Sequence, residues 1–122
     1  MSLKKSPAWF NFALFVKIRD GFTCFTCGKK VKGQGLGAGH FIQAFGHQNT
    51  FFDPTNVHAQ CTYCNLTLNG NLLEYRRRII EKYGEGYDEL LEKRGRIYKQ
   101  WTKRELKDLS LLYKQKIVEL EK

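Results

Sequence analysis

All four cysteines of this 122-residue chain fall in two Cys-x2-Cys pairs, Cys24/Cys27 and Cys61/Cys64. A two-residue gap lets both thiolates of a pair face one ion from a tight knuckle. Two such pairs complete a tetrahedral four-sulfur site, which suits zinc and leaves no position open for chemistry. A redox role needs only one pair and leaves the other unexplained. An iron–sulfur cluster is the remaining alternative. Gly28 relieves crowding of the backbone after the first pair. The first pair lies in a knuckle and the second at the start of a helix, with a hairpin between them. That order predicts a treble-clef-like finger in which zinc fastens a small ββα unit with little core of its own.

The length fits one domain, and 42% hydrophobic residues are enough for a packed core. The expected class is α+β: a zinc-stapled ββα finger embedded in several α-helices. An N-terminal helix occupies 1–21, the zinc-bound unit 22–75 and C-terminal helices 76–122. No run of 18 apolar residues is present, so no membrane span is expected, and nothing at the N-terminus reads as a signal peptide. A cytoplasmic setting, where thiols stay reduced, suits the metal site.

Local signals place the elements. Ser6-Pro7 opens a helix over 8–20 that Gly21 ends. Residues 33–39, Gly-Gln-Gly-Leu-Gly-Ala-Gly, read as a flexible connector into a short strand, His40-Phe41-Ile42. Asp53-Pro54-Thr55-Asn56 is a turn signal, and Val57 to Gln60 a second strand. A helix starts near Cys64 and Asn65, is open to interruption at Gly70, and continues to Gly84. Residues 87–93 form another, and the Thr102/Glu105 capping box starts the last.

Between and just after the cysteine pairs stand His40, Asn56 and Asn65. Hydrolysis of a phosphodiester needs a base to activate water and a cation to stabilise the leaving oxygen. A histidine on a strand edge suits the base, which assigns His40. Asn65, just after a zinc ligand, can present its side-chain oxygen to Mg²⁺ or Mn²⁺, since hard cations prefer oxygen. Asn56 would orient His40 or brace the hairpin. Taken singly, each has a plainer reading: a structural histidine, a turn residue and a helix cap. The spacing and the shared zinc frame favour the joint reading.

With that order of residues the chain resembles the HNH nucleases, in the variant whose third member is Asn. It is more closely similar to the NinG (Rap) recombination proteins of lambda-like phages. Cys24-Phe25-Thr26-Cys27-Gly28, Ala38-Gly39-His40-Phe41, Asn56-Val57-His58-Ala59-Gln60-Cys61, Cys64-Asn65 and Gly70-Asn71-Leu72 carry that likeness. The resemblance implies a metal-dependent endonuclease that cuts branched DNA such as Holliday junctions, working in the cytoplasm of a bacterial host. It implies a divalent ion at the position of Asn65. Many HNH sites carry an acidic metal ligand just before the first His, and here that residue is Gly39. Asn69, Asp53, Glu74 and His58 are the candidate replacements.

Lys plus Arg exceed Asp plus Glu by 21 to 12, a net charge of +9 that attracts polyanions. Lys29, Lys30 and Lys32, with Arg76, Arg77 and Arg78, flank the site and are the expected phosphate contacts. Three consecutive arginines span about 200° of a helix, so not all can meet one backbone. The last helix could cover the core or pair with a second copy, and the two cuts of junction resolution make a homodimer convenient. The competing functions are a non-catalytic zinc-stabilised DNA-binding module and a zinc-stapled protein-interaction domain.

Overall fold

Ser6 caps the first helix as its sequence predicts: its hydroxyl accepts the Trp9 amide at 3.2 Å, and Pro7 fills the first helical position. The structure, a computed structural model, describes residues 2–122. Helix α1 runs Pro7–Arg19 and buries Ala8, Phe12 and Val16 on one face. A knuckle follows, closed by the Cys24 amide on the Lys29 carbonyl and the Gly28 amide on the Cys24 carbonyl, both 2.8 Å. Gly28 sits at φ +80°, where a side chain would be strained.

Strand β1, Leu36–His40, pairs antiparallel with β2, Val57–Cys61. Leu36 stands opposite Cys61, and His40 opposite Val57. Every residue of β2 is buried, so this two-stranded sheet is covered on both faces. Val57 joins a cluster of Phe12, Val16, Phe51, Phe52, Leu106 and Tyr113. His58 packs instead against Phe25, with ring centroids 3.8 Å apart, and against Tyr75 of the second core. Each such buried Phe, Ile or Leu contributes roughly 1.5–3 kcal/mol of hydrophobic stabilisation.

After a wide helical turn at Tyr63–Thr67 come α2 (Leu72–Tyr83), α3 (Tyr87–Gly95) and α4 (Lys103–Leu120). The Thr102 hydroxyl accepts the Glu105 amide at 3.1 Å, and the Glu105 carboxylate accepts the Thr102 amide at 3.0 Å. The capping box is therefore complete. Helix α4 lies along α1, where Tyr113 meets Phe12 edge-on at 4.8 Å and Asn11 donates to the Ser110 carbonyl at 3.0 Å. Covering the core is thus one role of the last helix.

One expectation needs correction. Only Gly33–Gly35 of the glycine-rich run is a turn that leads into the strand; residues 36–40 are the strand itself, and it ends at His40 where it was expected to begin. Small residues are required there because Gln60 fills the space beside Gly39. The helical path from Cys64 toward Gly84 is interrupted at Gly70, the position the sequence marked as open to it. Asn69, Gly70 and Asn71 all adopt positive φ (+51°, +96° and +51°), which breaks the helical path before α2 begins. Among the described residues no helix is long and apolar enough to cross a membrane.

Candidate functional site

The knuckle and the end of β2 bring the cysteines together. The Sγ atoms of Cys24, Cys27, Cys61 and Cys64 all lie within 4.8 Å of one another, and Cys27 and Cys61 are 3.8 Å apart. A tetrahedron with Zn–S bonds of about 2.3 Å has sulfurs about 3.8 Å apart, so the cluster could hold a structural metal such as zinc. Polar groups already point at the sulfurs: Thr26 Oγ1 lies 3.3 Å from Cys24, the Cys64 amide 3.5 Å from Cys61 and Asn71 Nδ2 3.6 Å from Cys64. Burial raises the Cys24 thiol, but hydrogen bonds from Thr26 and nearby amides outweigh it and bring the thiol down to about 6. Burial, with the neighbouring thiols, pushes Cys27 up to about 12. Four thiolates cannot share this space without a cation to compensate their charge.

A second feature opens beside the cysteine cluster. His40, at the end of β1, and Asn65, in the wide turn after Cys64, line one open cleft with Lys4, Gln43, Asn69 and Gly70. The imidazole rests against Trp9 and Phe51. Its Nε2 lies 3.0 Å from the Phe51 carbonyl oxygen. A carbonyl only accepts, so Nε2 carries the proton and Nδ1 keeps the lone pair. Desolvation, opposed by that hydrogen bond and aided by the nearby Lys4 ammonium, lowers the pKa to about 4. The ring is therefore neutral at pH 7 and able to accept a proton.

Asn56 is fully buried and its side chain holds the long β1–β2 loop. Oδ1 accepts the Ile42 amide at 2.7 Å, while Nδ2 donates to the Ile42 and Thr50 carbonyls, both at 3.1 Å. Of the two roles expected for it, bracing the hairpin is the one its contacts perform. Through Thr50 it fixes the segment whose next carbonyl, that of Phe51, orients His40.

The lesser metal candidates separate. Asn69 lines the cleft. Asp53 instead accepts from Arg94 at 2.9 Å and from Thr55. Glu74 is engaged by Arg77 and Arg78 on its own helix. His58 contacts the Tyr75 hydroxyl at 3.0 Å and the Tyr83 hydroxyl at 2.7 Å, so both ring nitrogens are occupied. Desolvation drops its pKa to about 2.

The expected basic patch also divides. Lys29, Lys30 and Lys32 are exposed and, among the described residues, have no carboxylate partner. The arginines do. Arg76 bridges Asp88 at 2.5 Å and Glu92 at 3.1 Å, Arg77 meets Glu74 and Glu81, and Arg78 meets the same two. Residues that the sequence did not single out, Lys4, Gln43 and Trp9, stand at the cleft or against His40. Only the β1–β2 register and the docking of α1 bring them there.

These features define a small α+β protein with a two-stranded sheet and a four-cysteine cluster able to hold a structural metal. Comparison with known proteins then supplies the lineage. The family described as Bacteriophage Lambda NinG protein matches residues 7–122, and the chain belongs to that family. Protein ninG of Escherichia phage lambda is 32% identical over 98% of this chain, and that of Salmonella phage P22 is 31% identical over the same share. Protein ninG of Escherichia phage 933W is likewise 32% identical. The chain spans only 61–62% of the length of these relatives. No solved structure matches it significantly.

Proposed function

We propose that this protein is a metal-dependent endonuclease of branched DNA, with His40 as general base. The observation that supports it best is the shared cleft. His40, with a free Nδ1 lone pair and a neutral ring, faces the same opening as the oxygen-bearing side chains of Asn65 and Asn69. In this reading the knuckle, the β1–β2 hairpin and the turn after Cys64 form an HNH-type ββα unit fastened by zinc. The Trp9 and Phe51 rings hold the imidazole in place, and the Phe51 carbonyl holds its tautomer. Nδ1 takes the proton of the attacking water, and Lys4 meets a phosphate at the cleft edge.

Asn65 and Asn69 would hold a divalent ion, Mg²⁺ or Mn²⁺, which when bound stabilises charge on the leaving oxygen. Their amide oxygens are of the right chemical kind for a hard cation, though neutral. The exposed lysines after the knuckle extend the phosphate-binding surface. The test is cleavage of synthetic four-way junctions with Mg²⁺ or Mn²⁺. EDTA and His40→Ala should each stop it, and a His40→Ala protein that cuts at the wild-type rate would sink the assignment.

One observation favours a second reading, a DNA-binding module without catalysis. None of the residues lining the cleft is a carboxylate. A protein that binds junctions in a salt-dependent way and cuts none of them with either metal would establish it.

A further inference from the structure

Gln60 is completely buried in the middle of the sheet, yet only half of its amide is satisfied. Nε2 donates to the Gly70 carbonyl at 2.9 Å and lies 3.2 Å from Thr26 Oγ1. Because a carbonyl can only accept, the Gly70 contact fixes which end of the amide is nitrogen. Oε1 must point the other way, and no donor among the described residues reaches it. A buried oxygen left like this has given up its hydration with nothing in return.

The direction of that oxygen is informative. Oε1 occupies the place that a Cβ on Gly39 would take, and Asn65 Oδ1 lies 3.1 Å from the same position. Two amide oxygens therefore converge beside the residue that precedes His40. Asn65 Nδ2 is turned toward Gly37 instead, 3.5 Å from its Cβ position. Converging oxygens repel one another unless something positive lies between them. Asn65 and Gly70 both line the His40 cleft, so the meeting point sits just behind its wall.

We propose that Gln60 is a cation ligand, with its Oε1 and the Oδ1 of Asn65 together holding a hard divalent ion beside His40. It provides from β2 the oxygen that residue 39 on β1 does not provide. The glycine is then part of the site, since any side chain at 39 would displace Gln60. The inference rests on the nuclease reading of the cleft but can fail independently of it. A buried water, or a rotated Asn65 amide donating to Gln60, would also satisfy Oε1, and the test separates these from a cation.

The experiment is a Mn²⁺ titration of the zinc-loaded chain without DNA, following the loss of the free-ion EPR signal, for wild type, Gln60→Glu and Gln60→Leu. A carboxylate at the ligand position should tighten Mn²⁺ binding by tenfold or more, and leucine should abolish it, with zinc content unchanged in both. Equal Mn²⁺ affinity in all three proteins overturns the proposal and leaves a water or the rotated amide as Gln60's partner. Should Gln60→Glu fail to fold, Asn65→Asp tests the other oxygen of the pair. The same tightening is expected there, and its absence overturns the proposal. Tightened Mn²⁺ binding in a protein whose wild type cuts no junction keeps the ion site and removes the nuclease reading. Junction cutting with unaltered Mn²⁺ affinity does the reverse.

Discussion

The imidazole of His40 lies nearly parallel to the indole of Trp9, with centroids 5.2 Å apart and 13° between the planes. The indole shields one face of the ring from water, which contributes to the desolvation that lowers its pKa to about 4. A base limb in the cleavage rate should therefore fall well below the value near 6.5 of an exposed histidine. Rate–pH profiles of wild type and Trp9→Ala should differ, with the variant losing activity at higher pH. Coincident profiles would show that the stacking does not tune the base.

The same burial has a cost in acid. The pKa values of His40 and His58 are lowered in the fold, to about 4 and about 2. The unfolded chain therefore binds more protons than the folded one below about pH 6.5. Stability from keeping these rings neutral is complete above that value and declines toward the folded pKa values. The slope is at most about 1.4 kcal/mol per pH unit for each ring. Melting between pH 7.5 and 5, with zinc content followed in parallel, should show this decline. A His40→Gln variant should show a shallower one.

Removal of the structural metal should unfold much of the centre of the molecule. Each chain should carry one zinc, and Cys61→Ser should lose it along with much of the fold. Elemental analysis and circular dichroism before and after chelation are sufficient to check this. Folded, zinc-free protein would contradict it.

Asn56→Ala should be costly although it touches neither metal nor cleft. It removes three hydrogen bonds inside the β1–β2 loop and leaves their backbone partners buried. A loss of about 2–4 kcal/mol in denaturant melts is expected. Cleavage by the protein that remains folded should also fall, because the Phe51 carbonyl that orients His40 follows directly after Thr50.

DNA affinity should separate the two basic clusters. Changing Lys29, Lys30 and Lys32 to Ala should weaken binding to all sequences and flatten the salt dependence by up to about 0.9 in log–log slope per lost phosphate contact. Arg76→Ala should act first on stability, by about 1–2 kcal/mol, because Asp88 loses its partner. If Arg76→Ala weakened binding more than the lysine changes while melting like wild type, the clusters would have been assigned the wrong way round.

Where a signal is local, it was legible in the sequence. The cysteine spacing, the Ser6 cap and the Thr102/Glu105 box each need only a few neighbouring residues, and each stands as the chain predicts. The start of β1 was not legible, because glycines at 37 and 39 are poor strand formers until Gln60 and Asn65 occupy the space beside them. The partners of Arg76 depend on how α3 folds back on α2, which no periodicity specifies. Gln60 carries no sequence signal, because its importance lies in the half of its amide that has no partner, and only the register of β2 makes that visible.

The pairing of α1 with α4 also sets a timetable. Asn11 and Ser110 are 99 residues apart, so the contacts of α1 with α4 form only once α4 has been made. At about 5–20 residues per second, ribosomal synthesis leaves Phe15 without its partner Tyr113 for roughly 5–20 s. Both cysteine pairs emerge within that interval. A metal bound there would fasten the centre while α1 and α4 are still apart, and in that window the nascent chain is most exposed to chaperones and to self-association.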